Sequence, residues 1–200
     1  MKLLKEIISQ IVNETHLADV EGFLVPVLPH PPHGSEAELA DLHNTIYQHS
    51  HRRVPEGLQD AADSSMLKIF KQHLHNSGYP FDKTYLKTAK KLIKPVITGL
   101  KQYYSRSRPQ AVANEWGIPW ESDDLDSAQT PSYPSGHTIQ AYTVALLLAH
   151  QHPEEEENLL NIAEIVAQSR IDRGVHFQSD VDYGREVAYV LTDQVLEKLP

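Results

Sequence analysis

Apolar residues recur at helical spacing along most of this 200-residue chain, while no segment carries a clear strand-pairing signal or an internal repeat. Leu3, Leu4, Ile7, Ile8, Ile11 and Val12 outline a first amphipathic helix ending near Asn13, with an apolar stripe to pack on the core. Four prolines between Val25 and Pro32 remove backbone donors and fix φ, which predicts an extended connector. Helix is expected again after Ser35, with Leu39, Leu42 and Ile46 as its stripe, and after Pro55, with Leu58, Ala62, Ile69 and Phe70. The stretch from Asn76 to Pro80 should stop that helix. From Asp82 to Tyr104 the pattern runs across Pro95, so a break is expected near Lys94. Residues 110–133 lose periodicity and gather Trp116, Gly117, Pro119, Trp120 and a run of acids, the mark of a long functional loop. Three further helices are expected over 137–150, 153–170 and 180–198, the last two opening with acids that suit a helix N-terminus.

Composition bounds what such a chain can do. Its length allows one sizeable core, and its 40% apolar and 22% charged residues are ordinary for a globular protein. A net charge of -9 argues against nucleic acid or an anionic membrane as the main partner, so any anion site must be local. Without cysteine there is no disulfide and no thiolate metal site. Lys5 and Glu6 interrupt the N-terminal apolar run, so no secretory signal is expected and a cytoplasmic location is the reading. The longest apolar run, Ile139 to Ala149, is 11 residues, whereas a membrane span needs about 20.

Three segments carry residues suited to phosphate chemistry. Lys101 and Arg108 stand seven apart, close to two helical turns, so both cations can face one anion if the helix persists, with Pro109 helping to end it. Ser132 to Thr138 puts Ser135 and Gly136 just before an apolar helix, where free backbone N–H groups and the positive dipole end favour an anion. A serine cap beside an incidental His137 would look the same. Ser169 to Asp180 adds Arg170, then His176 with Asp180 four residues on. A carboxylate accepting from one imidazole nitrogen fixes the tautomer and leaves the other nitrogen unprotonated as a nucleophile. The bland alternative is a helix-capping Asp180 beside a core histidine. Taken together, three cations, an anion-binding helix start, two histidines and an orienting carboxylate are the parts of a phosphoryl-transfer site. Each cation at about 4 Å from phosphate contributes about 4 kcal/mol of Coulomb attraction at an effective dielectric near 20, before desolvation.

These segments resemble the superfamily of type 2 phosphatidic acid phosphatases, bacterial class A non-specific acid phosphatases and vanadium haloperoxidases. Lys101 to Pro109 fits K-x6-R-P, Pro134 to His137 reads PSGH, and Ser169 to Asp180 fits S-R-x5-H-x3-D. Beyond the motifs, LPHPPHGS from Leu28, SYPSGHT and HFQSDVDYGR from His176 look like the soluble class A enzymes. The resemblance implies an all-α helical bundle and metal-independent hydrolysis of phosphomonoesters. In it His176 attacks phosphorus, Asp180 orients it and His137 protonates the leaving oxygen. Lys101, Arg108 and Arg170 hold phosphate oxygens, with Ser135 and the Gly136 backbone completing the cradle. No metal or cofactor is implied, although vanadate can occupy the same site. One domain over 1–200 is expected, with the N-terminal helix and connector in 1–35 and the catalytic core in 36–200.

The substrate reading is a small soluble phosphate ester, such as a nucleotide or sugar phosphate, with no nucleic acid, no membrane span, and a homo-oligomer left open. A vanadate-dependent haloperoxidase and a non-catalytic phosphate-binding protein are the alternatives. The relatives it resembles are normally exported, and here the sequence departs from them. The paired histidines at 30 and 33, 49 and 51, 73 and 75, and 150 and 152 read as surface residues, because positions two apart on a helix diverge. Arg106, Arg173, Arg52 and Arg53 fall outside the motif positions. Glu154 to Glu157 reads as a solvated first helical turn.

Overall fold

The computed structural model describes residues 16–199. The expected first helix, Leu3 to Asn13, lies outside the described residues. The chain enters through a hairpin that the sequence reading did not find. Strands β1 (Leu17–Val20) and β2 (Phe23–Pro26) pair antiparallel, Leu17 with Pro26 and Val20 with Phe23. Glu21 and Gly22 both turn with positive φ, 57° and 76°, as a two-residue hairpin turn requires. With four residues a strand there is little alternation to detect, and the Glu-Gly turn is its one sequence signal. Phe23 and Val25 point into the core.

The stretch expected as an extended connector is divided: Val25 and Pro26 end β2, residues 27–32 carry no regular structure, and two of its carbonyls are bound by tyrosines. The Tyr183 hydroxyl donates to Pro26 O at 2.6 Å and the Tyr133 hydroxyl donates to Leu28 O at 2.9 Å. Helix α1 (Glu36–Ser50) then starts at Ser35, whose side chain accepts from Glu38 N. Helix α2 (Glu56–Asn76) follows Pro55 and buries Ala62, Met66, Phe70 and Leu74, while Leu58 remains exposed. It kinks at Ser65.

Helix α3 (Lys83–Tyr104) is capped by Asp82, which accepts from Thr84 N and Tyr85 N. It runs through Pro95 without the expected break near Lys94. Lys94 and Pro95 lie on the exposed face, where the carbonyl left without a donor meets solvent, while Ile93, Val96, Ile97 and Leu100 keep the opposite face buried. The helix ends instead at Ser105, in the left-handed region at φ 48°. A short helix α4 (Pro109–Glu115) occupies the start of the stretch read as loop, and Pro109 opens it rather than ending its predecessor. The rest, to Ser135, is irregular apart from a 3₁₀ turn at Asp126–Ala128.

The apolar run becomes the central helix α5 (Gly136–Gln151), buried on nearly every side from Thr138 to Ala149. It packs against α6 (Glu156–Asp172), which follows a 3₁₀ turn at Pro153–Glu155, and against α7 (Gln178–Lys198). Helix α3 covers another side of it, and β2 lies on α7. Truncating a fully buried member such as Leu147 to alanine would cost about 2–5 kcal/mol. Among the described residues no helix is long and apolar enough to cross a membrane.

Two glycines let three helix ends converge. A Cβ at Gly136 would meet Ile97 Cγ2 at 3.1 Å and Lys101 Cε at 3.7 Å, so the start of α5 sits against the end of α3. A Cβ at Gly184 would meet Ser135 O and Thr138 Cβ, both at 3.1 Å, so α7 crosses that same start.

Candidate active site

The three segments singled out in the sequence meet at this convergence. Asp180 is the third residue of α7, and its carboxylate reaches back to accept from Phe177 N at 3.0 Å. It therefore does serve the helix end, as the bland reading held, but it does more. His176 Nδ1 lies 2.9 Å from Asp180 Oδ2, Arg106 Nη1 donates to Oδ1 at 2.7 Å, and the Ser132 hydroxyl donates to Oδ2. Asp180 and His176 are buried. Burial pushes the Asp180 carboxyl up, but hydrogen bonds from His176 and Ser132 and the Arg106 charge outweigh it, and the group is held below the ordinary carboxylate range. His176 is held well below the ordinary imidazole range by burial and by Arg108, against the pull of Asp180. A neutral imidazole with its proton on the carboxylate side suits this contact.

Arg108 closes the other side of that ring. Its Nη1 is 3.0 Å from His176 Nε2 and donates to Val175 O at 2.6 Å, while its Nε donates to Thr130 O at 2.7 Å. Lys101 Nζ donates to the neighbouring carbonyl of Pro131. The two cations thus converge on one loop, but not along one helix: Ser105 ends α3 between them and Arg108 stands at the start of α4. Burial, then Arg108, pushes the Lys101 ammonium down to about 7. Burial likewise holds Arg108 down at about 10. Both shifts follow from burying cations beside one another.

Ser135 caps α5, accepting from the Thr138 hydroxyl at 2.8 Å, and its own N–H donates to Asp180 O at 3.0 Å. Gly136 follows as the first helical residue. His137 is partly exposed, with Nε2 3.8 Å from Asp63 Oδ1. Burial and the Arg170 charge hold it below the ordinary imidazole range, against Asp63. Arg170, fully buried, donates from Nη1 to Asp63 Oδ1 at 2.7 Å and from Nη2 to the Ser127 hydroxyl at 3.0 Å. Its Nε is buried without a hydrogen-bond partner among the described residues.

Residues 89–193 match the sequence profile of the PAP2 superfamily. This chain belongs to the PAP2 superfamily. It is 31% identical over 177 residues to a non-specific acid phosphatase of Providencia stuartii, covering 81% of this chain and 69% of that protein. It is 40% identical over 90 residues to a non-specific acid phosphatase of Salmonella typhimurium, covering 45% of this chain but only 36% of that protein's length. Among solved structures, a bacterial vanadium-dependent iodoperoxidase shares the helical fold with a TM-score of 0.63 at 18% identity, over 86% of this chain and 52% of the other. The PAP2 match spans all three motif segments, and the all-α architecture expected from them is the one observed, apart from the small hairpin.

Within this PAP2 fold, several functional contacts escaped sequence reasoning. Arg106, set aside as a motif neighbour, is buried, donates to both Asp180 and Ser179, and stacks its guanidinium 3.8 Å above the Phe177 ring. Its alternation with Arg108 in SRSR was the one available signal. Asp63 carries no motif at all. Arg173, Arg52 and Arg53 belong to the scaffold: Arg173 pairs with Asp60, Arg52 with Asp123, and the Arg53 backbone donates to Asp172. Of the paired histidines, His33, His51, His75 and His150 are exposed as expected, whereas His30, His49, His73 and His152 are partly buried. His30 packs 5.3 Å from the Tyr133 ring, and His49 accepts from the Trp120 indole. Among the described residues no three histidines and acids gather as a metal site.

Proposed function

We propose that this protein hydrolyses phosphomonoesters of small soluble molecules, such as nucleotides or sugar phosphates, through a phosphohistidine on His176. The observation that carries the reading is the placement of that imidazole, with Nδ1 2.9 Å from Asp180 Oδ2 and Nε2 3.0 Å from Arg108 Nη1. An arriving phosphate gives the Arg108 guanidinium a better acceptor, which frees the Nε2 lone pair. The names of the acid phosphatase relatives support the hydrolysis of phosphate esters.

In this reading Lys101, Arg108 and Arg170 bind the phosphate oxygens, with the Ser135 side chain and the Gly136 N–H completing the cradle. The unpartnered Nε of Arg170 gains an acceptor there. Phosphate in turn restores the ordinary basicity that burial takes from Lys101. His176 Nε2 forms a bond to phosphorus as the ester P–O bond breaks. His137, whose protonation the bound phosphate and Asp63 favour, donates its proton to the departing oxygen. Water then attacks the phosphohistidine, His137 takes the water proton, the P–N bond breaks, and inorganic phosphate leaves. Asp180 stays ionised throughout and stabilises the imidazole in each step.

The reading assigns charge compensation to three side chains, so turnover should not depend on an added metal. A panel of soluble phosphate esters assayed after exhaustive chelation should be hydrolysed at undiminished rates, with competitive inhibition by vanadate. Activity lost to the chelator and restored by zinc or magnesium would contradict it, as would no turnover of any ester.

A further inference from the structure

In-line displacement puts the attacking and departing atoms on opposite sides of phosphorus. With His176 attacking, the leaving group extends past His137. There the structure has a cavity of about 270 Å³, walled on one side by α2 from Ala62 to Lys68 and on the other by α3, with His137 and Gln140 between them. The kink of α2 at Ser65 falls in its wall.

The α3 wall is basic for a geometric reason. Lys83, Lys87 and Lys90 precede Lys101 by 18, 14 and 11 residues, which at about 100° per residue puts all of them within about 40° of one line along the helix. The same face therefore carries ammonium groups from the proposed phosphate cradle outward into the cavity. Lys68 faces them from α2. Among the described residues, Lys83, Lys87 and Lys90 form no ion pair, whereas the one acid in the lining, Asp63, is already taken by Arg170 and Ser127. Lys90 lines the cavity together with His137. A lysine row on a helix face ordinarily does no more than keep that face solvated. Here it lines a concavity, continues from a buried site lysine, and occurs in a chain of net charge -9.

We infer that this cavity is a second anion subsite, and that the preferred substrates carry a second phosphoryl group on the leaving-group side of the scissile ester. The inference rests on the phosphatase reading above and narrows its substrate class from monophosphates to bisphosphorylated small molecules. Lys83 and Lys87 hold the distal phosphate, and Lys90 sits between it and His137.

The test compares diol monophosphates with the matching diol bisphosphates over spacers of two to six carbons, using wild type and the Lys83→Gln/Lys87→Gln double variant. Two partly solvated charge contacts are lost, so kcat/KM for the best bisphosphate should fall roughly tenfold, mainly through KM. The monophosphates should change less than about twofold, and Lys83→Arg/Lys87→Arg should keep the preference. Equal losses for both substrate classes, or no loss for either, would overturn the subsite. Binding separates this result from failure of the phosphatase reading. If wild type hydrolyses no ester, that reading falls, and calorimetry with an alkane bisphosphonate against methylphosphonate still decides the subsite. Selective weakening of the bisphosphonate by the double substitution supports it, and unchanged binding rejects it.

Discussion

Two histidines face the candidate site, each beside a carboxylate that also holds an arginine, and the two sets are built to different tolerances. His176, Asp180 and Arg106 are all buried, with a histidine to carboxylate distance of 2.9 Å and an arginine to carboxylate distance of 2.7 Å. His137 and Asp63 are each 22% exposed and stand 3.8 Å apart, although Arg170 grips Asp63 at 2.7 Å. The tight set takes its histidine and carboxylate from one helix start, where Asp180 follows His176 by a single turn, and its arginine from the segment between α3 and α4. The loose set spans α2, α5 and α6. The difference suits the proposed roles: a nucleophile gains from a fixed tautomer and direction, whereas an acid that also serves as a base must change its proton twice per turnover.

Asp180→Asn should break the tight set most severely. Nδ1 loses its anionic acceptor, and of the two carboxylates that hold Arg106 only Asp41, 3.1 Å from Nη2, remains. Stability should drop by about 3–5 kcal/mol in urea unfolding, as when one partner of a buried ion pair is removed. Turnover should drop by about 10⁴, the size found when an orienting carboxylate is taken from a catalytic histidine. A variant with near wild-type stability would show that Arg106 and Asp180 do not depend on one another.

His137→Ala probes the loose set through the leaving group. The loss should be about 10² to 10⁴-fold for alkyl phosphates in single turnover and far smaller for p-nitrophenyl phosphate, whose phenolate departs unaided. Equal losses on both esters would remove His137 as general acid. Asp63→Asn should have the smallest effect. The amide still accepts from Arg170 and Ser127, but the buried Arg170 loses the charge of a carboxylate that is itself partly solvated, so stability should fall by about 1–3 kcal/mol. Millimolar phosphate should restore it by binding Arg170 in the native state only. The Asp180→Asn loss should not be restored in this way, and identical phosphate responses would erase the distinction between the sets.

What the sequence revealed follows the same division. His176 with Asp180, and Ser135 with Gly136, are close along the chain, and their local geometry could be reasoned from spacing. Lys101 and Arg108 do reach one loop, but not by the expected route: the helix taken to align them ends at Ser105, and both turn instead to the Thr130–Pro131 carbonyls. Asp63 was invisible because 74 residues separate it from His137 and only tertiary packing brings them together. Arg106 was hidden by its neighbour, since spacing cannot tell which of two nearby arginines turns to the His176 ring and which to the Asp180 carboxylate. Helix positions followed periodicity well. Pro95 misled because a proline on the solvent face spares the buried stripe, and the hairpin was too short to register.

The central claim is that Nε2 of His176 carries phosphate during turnover, and trapping that species tests it most directly. A labelled phosphate ester mixed with enzyme, quenched within milliseconds under alkaline denaturing conditions that spare a P–N bond, should leave label on the peptide containing His176. The His176→Ala variant should be folded, unlabelled and without measurable turnover. Label on another residue, or near-normal turnover by that variant, would contradict the account.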